Sequence, residues 1–196
     1  VQGRTDIPLN DYGRHLACET AEGMKDMRID LGYTSPLLRA KETAQIILGD
    51  RDVPLYEDSR IEELSFGSYE GMRAAGGEKD AQSEAFNRFF TDTANYIPPR
   101  DAETVPQLYE RTGDFLAEIC AREDLRDKSV LVSTHGAAMT ALLNRIRGNL
   151  SVSEFWRDEV PPNCSVTEVE IRDAKPQIIR EGVIYYKEKV KKWKTV

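Results

Sequence analysis

The chain runs to 196 residues, 40% apolar and 31% charged, enough for one domain that buries roughly 70% of the surface its unfolded form exposes. Its net charge of −7 argues against a nucleic-acid binder working through bulk positive field, and no apolar run approaches the roughly 20 residues of a membrane helix. The opening residues carry Arg4, Asp6 and Pro8 where a secretory leader has an apolar core, so a cytoplasmic protein is expected.

Asn10 or Asp11 caps a predicted helix that runs to about Met27, with Leu16, Thr20, Met24 and Met27 on one face. A short strand over 29–34 follows. Ser35-Pro36 opens a predicted helix over 36–48, because Ser caps and Pro is tolerated in a first turn; Gly49 ends it. The stretch 61–71 reads as a strand end passing into a loop, and Ala74 to Gly77 as a flexible connection. Helices are predicted over 81–92 and 104–123, with Ile97-Pro98-Pro99-Arg100 as a loop between them.

Ser129 to Ser133 reads as a fully buried strand, being short and rich in β-branched residues. It runs through Thr134-His135-Gly136 into a helix over 137–147 closed by Gly148. Ser151 and Glu154 form a capping box for one more short helix, 165–171 alternates as a strand, and 177–186 supplies another. The lysine-rich end, 187–196, reads as solvated. Short strands alternating with amphipathic helices predict a single three-layer α/β/α domain around a mostly parallel sheet.

The cysteines, Cys18, Cys120 and Cys164, are too few and too scattered for a disulfide framework or a zinc site. Cys18 and Cys120 fall in helical stretches and read as small buried side chains. Only His15 and His135 are present, so a histidine-rich metal site is excluded and neither metal nor cofactor is expected.

Chemistry concentrates where strands pass into helices. At His135-Gly136 a strand ends and a helix opens, offering backbone N–H groups and the positive end of a dipole to an anion. His135 adds a ring N–H, or a charge if protonated, and Gly136 lets the backbone approach closely. Arg39 occupies the first turn of a helix that again follows a strand, where its charge opposes the dipole unless an anion compensates. Glu62 and Glu63 point to different faces of an extended segment, so only one faces a shared pocket. Buried by Leu64 and Phe66, that carboxyl would hold its proton and donate it to a leaving group. Taken singly, the plainer readings are a capping histidine, a solvated arginine and surface glutamates.

Together these segments resemble the histidine phosphatase (phosphoglycerate mutase-like) superfamily. TSPLLRAKETA resembles its S-S-P-L-x-R-A-x-E-T-A, RIEELSFGSYEG its R-L-x-E-x-x-F-G-x-x-E-G, and VLVSTHGAAMTALL its V-L-V-V-S-H-G-x-x-I-R-x-L-L. VQGRTDIPLNDYGRHLA is similar to its Q-G segment and PPNCSVTEVEI to its late N-x-S strand, so the ordered match covers nearly all 196 residues.

The resemblance implies hydrolysis of a phosphate monoester through a phosphohistidine, on a small phosphorylated metabolite and with no nucleic acid or membrane as partner. Arg39 would bind phosphoryl oxygens, His135 with the N–H groups of Gly136 and Ala137 would stabilise their charge, and Glu63 would donate the proton. Gln2 and Gly3 would contact substrate. The family's nucleophile lies in an R-H-G motif upstream of its Q-G segment, so residues 1–196 are expected to form one domain lacking the first strand and the nucleophile loop. His15, followed by Leu16 within a helix, is expected to face solvent, and the chain as given to turn nothing over. Ala102-Glu103-Thr104 stands where the family has G-E-S. The lone Arg100, with no Arg-Arg pair to hold a second phosphate, favours hydrolysis over mutase-type transfer. A non-catalytic phosphate-binding domain and a structural α/β protein are the other readings.

Overall fold

The computed structural model describes residues 1–74, 80–157 and 159–187. The expected flexible connection falls mostly, and the lysine-rich end almost wholly, outside them. Helix α1 is Asp11–Gly23, capped by Asn10, whose side-chain oxygen accepts the Gly13 N–H at 2.8 Å. It buries Leu16, Ala17 and Thr20. Strand β1 (Leu31–Thr34) leads into α2 (Leu38–Leu48), which ends at Gly49 in the left-handed region at φ +55°. Strand β2 (Leu55–Glu57), helix α3 (Ser83–Thr91) and helix α4 (Val105–Ala121) follow. Thr104 and Gln107 close a reciprocal capping box at the start of α4. Strand β3 (Val130–Ser133) and helix α5 (Gly136–Ile146) precede the antiparallel pair β4 (Val166–Arg172) and β5 (Lys175–Val183).

The central sheet is parallel in the order β2-β1-β3. Alternation along β1 sends Leu31 and Tyr33 to one face, where Phe115 and Ile119 of α4 meet them. Thr34 and Ser133 share the other face, and the Ser133 hydroxyl donates to the Ala40 carbonyl of α2 at 2.8 Å. Helices therefore cover both faces, giving the three layers expected. A larger core lies around Phe66, Phe86, Phe89, Leu108, Ala138 and Phe155. Its rings meet mostly edge to face, as between Phe66 and Phe89 with centroids 5.2 Å apart.

Several local expectations need correction. Ser129 to Ser133 is only half-buried apart from Ser133, because β3 pairs with β1 alone among the described residues. A groove of about 2840 Å³ lies along it, lined also by Leu142, Val166 and Val169. Residues 61–71 form no strand end; two single 3₁₀ turns, Ser59–Ile61 and Gly67–Tyr69, bracket an irregular loop. Ser151 and Glu154 cap no helix, since Ser151 bonds the Ser153 hydroxyl and Glu154 accepts from the Asn149 side chain instead. Cys18 is exposed and Cys120 half-buried, so neither is the core side chain expected.

Candidate active site

The carboxyl ends of β1 and β3 lie side by side, with Thr34 opposite Ser133, so the turns into α2 and α5 are neighbours. Ser35, fully buried, does not cap α2 as expected. The first-turn N–H of Leu38 is bound by Asp6 at 2.7 Å, and the Ser35 hydroxyl reaches Nε2 of His135 at 2.8 Å. The Leu37 N–H also points to the Ser35 oxygen, at 3.3 Å.

In the first turn of α2, Arg39 donates to the carbonyls of Gly3 at 2.6 Å and Thr5 at 3.0 Å. Its guanidinium is thereby tied to the loop that holds Gln2 and Gly3. Burial lowers its pKa, while Glu63, Asp6 and Glu70 act in the opposite direction. Gln2 is exposed, and its carbonyl accepts the Thr5 N–H at 2.9 Å. Gly3 is buried at φ +53°, and a Cβ there would come 2.2 Å from Oε1 of Glu70. Glu70 in turn accepts the N–H groups of Arg4 at 2.9 Å and Phe66 at 3.0 Å. Glycine is required at position 3 for both reasons. Glu70, which pins this loop, was not singled out from the sequence, although it is the one glutamate of the FGSYEG segment.

The two glutamates diverge as the extended geometry requires. Glu62 turns to Arg4, 3.2 Å away. Glu63 turns inward, and its Oε1 accepts the N–H groups of Leu64 at 2.9 Å, Ala137 at 3.1 Å and Ala138 at 3.2 Å. Burial pushes its pKa up, against the pull of those three amides and of Arg39. The amides at the start of α5, read from the sequence as an oxyanion cradle, are thus bound to a carboxyl from another loop. A Cβ on Gly136 would sit 3.8 Å from Oε2 of Glu63 and 3.7 Å from Val160.

Burial, with Arg39 and Arg111 nearby, drives the His135 imidazole down to about 3, so it is neutral near pH 7. His15 lies on α1, exposed. Phe86 and Phe89 belong to the core, whereas the half-buried Phe90 stacks on Trp156 at 5.2 Å. Arg39, Glu63, His135, Phe90 and Trp156 line the same groove as β3. Among the described residues no group of His, Cys, Asp and Glu is placed to hold a metal ion, and no helix is long and apolar enough to cross a membrane.

Comparison with known proteins gives the chain a family. A sequence model of the histidine phosphatase superfamily (branch 1) matches residues 1–183. The uncharacterized phosphatase PhoE of Bacillus subtilis is 38% identical over 147 residues, 75% of this chain and 68% of that protein. A metal-independent phosphoserine phosphatase of Arabidopsis thaliana is 32% identical over 178 residues, 89% of this chain and 71% of that one. The solved structure of Bacillus stearothermophilus YhfR superimposes with a TM-score of 0.83 at 27% identity, covering 94% of this chain and 90% of that one.

Proposed function

The chain belongs to the histidine phosphatase superfamily (branch 1), and from that premise we propose that it hydrolyses phosphate monoesters of small metabolites. The observation that carries this reading is the convergence of Arg39, Glu63 and His135 on one groove at the carboxyl ends of β1 and β3. Arg39 grips phosphoryl oxygens with the guanidinium donors not spent on Gly3 and Thr5. His135, neutral and held by Ser35, presents a dipole without repelling Arg39, and takes up charge only when the phosphate brings its own.

The nucleophile in this reading is the histidine of an R-H-G segment preceding Gln2, carried on a strand that pairs with β3 in the groove. Its imidazole nitrogen forms the N–P bond as the ester P–O bond breaks, and the departing oxygen takes the proton of Glu63. In the second step water attacks phosphorus, the N–P bond breaks, and the Glu63 carboxylate receives the water proton. The raised pKa of Glu63 suits it to both roles. Gln2, Gly3 and the Gly136 and Ala137 amides lie on the substrate side of this scheme. No adjacent arginines stand in the sequence to hold a second phosphate, which favours water over a second phosphoryl acceptor.

Steady-state assay of the protein carrying an R-H-G strand ahead of Gln2 tests the reading. Hydrolysis of p-nitrophenyl phosphate, with a phosphohistidine trapped on that histidine, is expected. Turnover by residues 1–196 alone would assign the nucleophile to His15 or His135 instead.

A further inference from the structure

Arg111 sits in the middle of α4, where a cation on an amphipathic helix ordinarily meets solvent, yet its side chain is only 16% exposed. Its Nε donates to Oε1 of Glu103 at 2.6 Å, and one Nη2 hydrogen goes to Oε2 of the same carboxylate at 2.8 Å. The other meets the carbonyl of Glu63 at 3.1 Å, and Nη1 reaches the carbonyls of Arg60 at 2.8 Å and Glu62 at 2.9 Å. All five guanidinium hydrogens are used. Glu103, 10% exposed, also accepts the Ser65 N–H of the same loop at 3.4 Å and Nη2 of Arg4 at 3.3 Å. Nε of Arg4 adds a second donor to the Glu63 carbonyl at 3.1 Å.

Loop 60–65 has no strand partner among the described residues, so its carbonyls need donors from elsewhere. Arg111 supplies them to three residues at once, which the single ammonium of a lysine does not match in reach or geometry. We infer that Arg111, braced by Glu103, is a positioning residue for Glu63, fixing its backbone so that its carboxyl seats on the first amides of α5. The assignment rests on the reading of Glu63 as proton donor for its functional meaning. A donor displaced by about 1 Å loses on the order of 10²-fold in rate, so a guanidinium that never touches substrate governs the step.

Amide hydrogen exchange on the full chain, followed residue by residue by NMR, tests this. Glu63→Ala releases the Ala137 and Ala138 N–H groups, and their exchange is expected to accelerate about tenfold or more while Leu142 and Leu143, further along α5, keep their protection. Arg111→Lys is expected to give the same local acceleration. Added to Glu63→Ala it should change little, because Arg111 acts through that residue. Glu103→Gln, which keeps the shape of the brace and removes its charge, should shift exchange in the same direction by less, and decides the matter if Arg111→Lys does not fold. Wild-type protection of Ala137 and Ala138 in the deciding variant, or a uniform loosening of α5, overturns the assignment. Titration of the unaltered chain with inorganic phosphate separates the two ideas. Absence of phosphate binding counts against the hydrolase reading, while exchange still decides the role of Arg111.

Discussion

Oε1 of Glu63 accepts the backbone N–H of Ala137 at 3.1 Å, so the positive end of α5 is already engaged by a carboxyl. An incoming phosphate and this side chain draw on the same dipole. Substrate binding and the placement of the proton donor are therefore linked rather than independent.

Competition at that amide has a direct readout. Glu63→Gln keeps an oxygen on the Ala137 and Ala138 amides but cannot ionise, and should tighten inorganic phosphate binding at any pH where the Glu63 carboxyl has lost its proton. A gain of about tenfold, or about 1.4 kcal/mol, is expected by calorimetric titration. Equal or weaker binding would place the phosphate away from α5.

Leaving-group dependence isolates the proton. In the protein carrying the R-H-G strand, Glu63→Gln should slow the first-turnover release of alcohol strongly for alkyl phosphates and little for p-nitrophenyl phosphate, since nitrophenolate departs without a proton. Hydrolysis of the phosphohistidine should slow alike for both. Glu62→Gln, whose carboxylate faces Arg4, should alter neither rate by more than about twofold. His135→Ala should slow both substrates by about 10²–10³. A Glu63→Gln penalty on that first-turnover release equal for the two leaving groups would contradict the donor role.

Stability should depend on pH through His135. Folding lowers its pKa from 6.5 to about 3, so the unfolded chain binds more protons between those values. The stability this contributes is complete above pH 6.5 and is lost as pH falls toward 3. By pH 5 the loss is about 2 kcal/mol, at about 1.4 kcal/mol per unit. His135→Gln should flatten that part of the profile in urea unfolding at pH 7 and 5. An unchanged slope would mean that other groups set it.

Gly3→Ala should be costly out of proportion to its size. It forces an L-residue to φ +53° and drives a methyl into the Glu70 carboxylate. A loss of about 1–3 kcal/mol is expected in thermal or urea unfolding. Because Arg39 is anchored on the Gly3 carbonyl, phosphate affinity should fall as well. Wild-type stability would show that the loop rearranges freely.

The site residues were legible where local sequence dictates their setting. A short apolar strand, a small polar turn and a helix opening recur at Thr34-Ser35 and Thr134-His135, which is enough to bring Arg39 and His135 to one end of the sheet. The divergence of Glu62 and Glu63 follows from extended backbone alone. Roles that depend on distant partners were not legible. Ser35 reads as a helix cap, but its hydroxyl meets His135, a hundred positions along the chain, and Asp6 takes its place at α2. Arg111 was not singled out at all, because the carbonyls it binds lie 48 to 51 positions away. Strand β2 escaped notice since it has three residues and exposes Tyr56 and Glu57.

The stacking of Trp156 on Phe90 gives the protein an optical gauge of its own. The indole donates to the Phe89 carbonyl at 2.8 Å and lies nearly out of water, so its emission should be blue-shifted. Helix α3 supplies both the ring and the carbonyl. Any substrate whose alcohol wedges between Phe90 and Trp156 must therefore alter fluorescence, whether or not it is turned over. With Trp193, outside the described residues, replaced by Phe, a library of monoesters can be ranked by colour shift before a single reaction is followed.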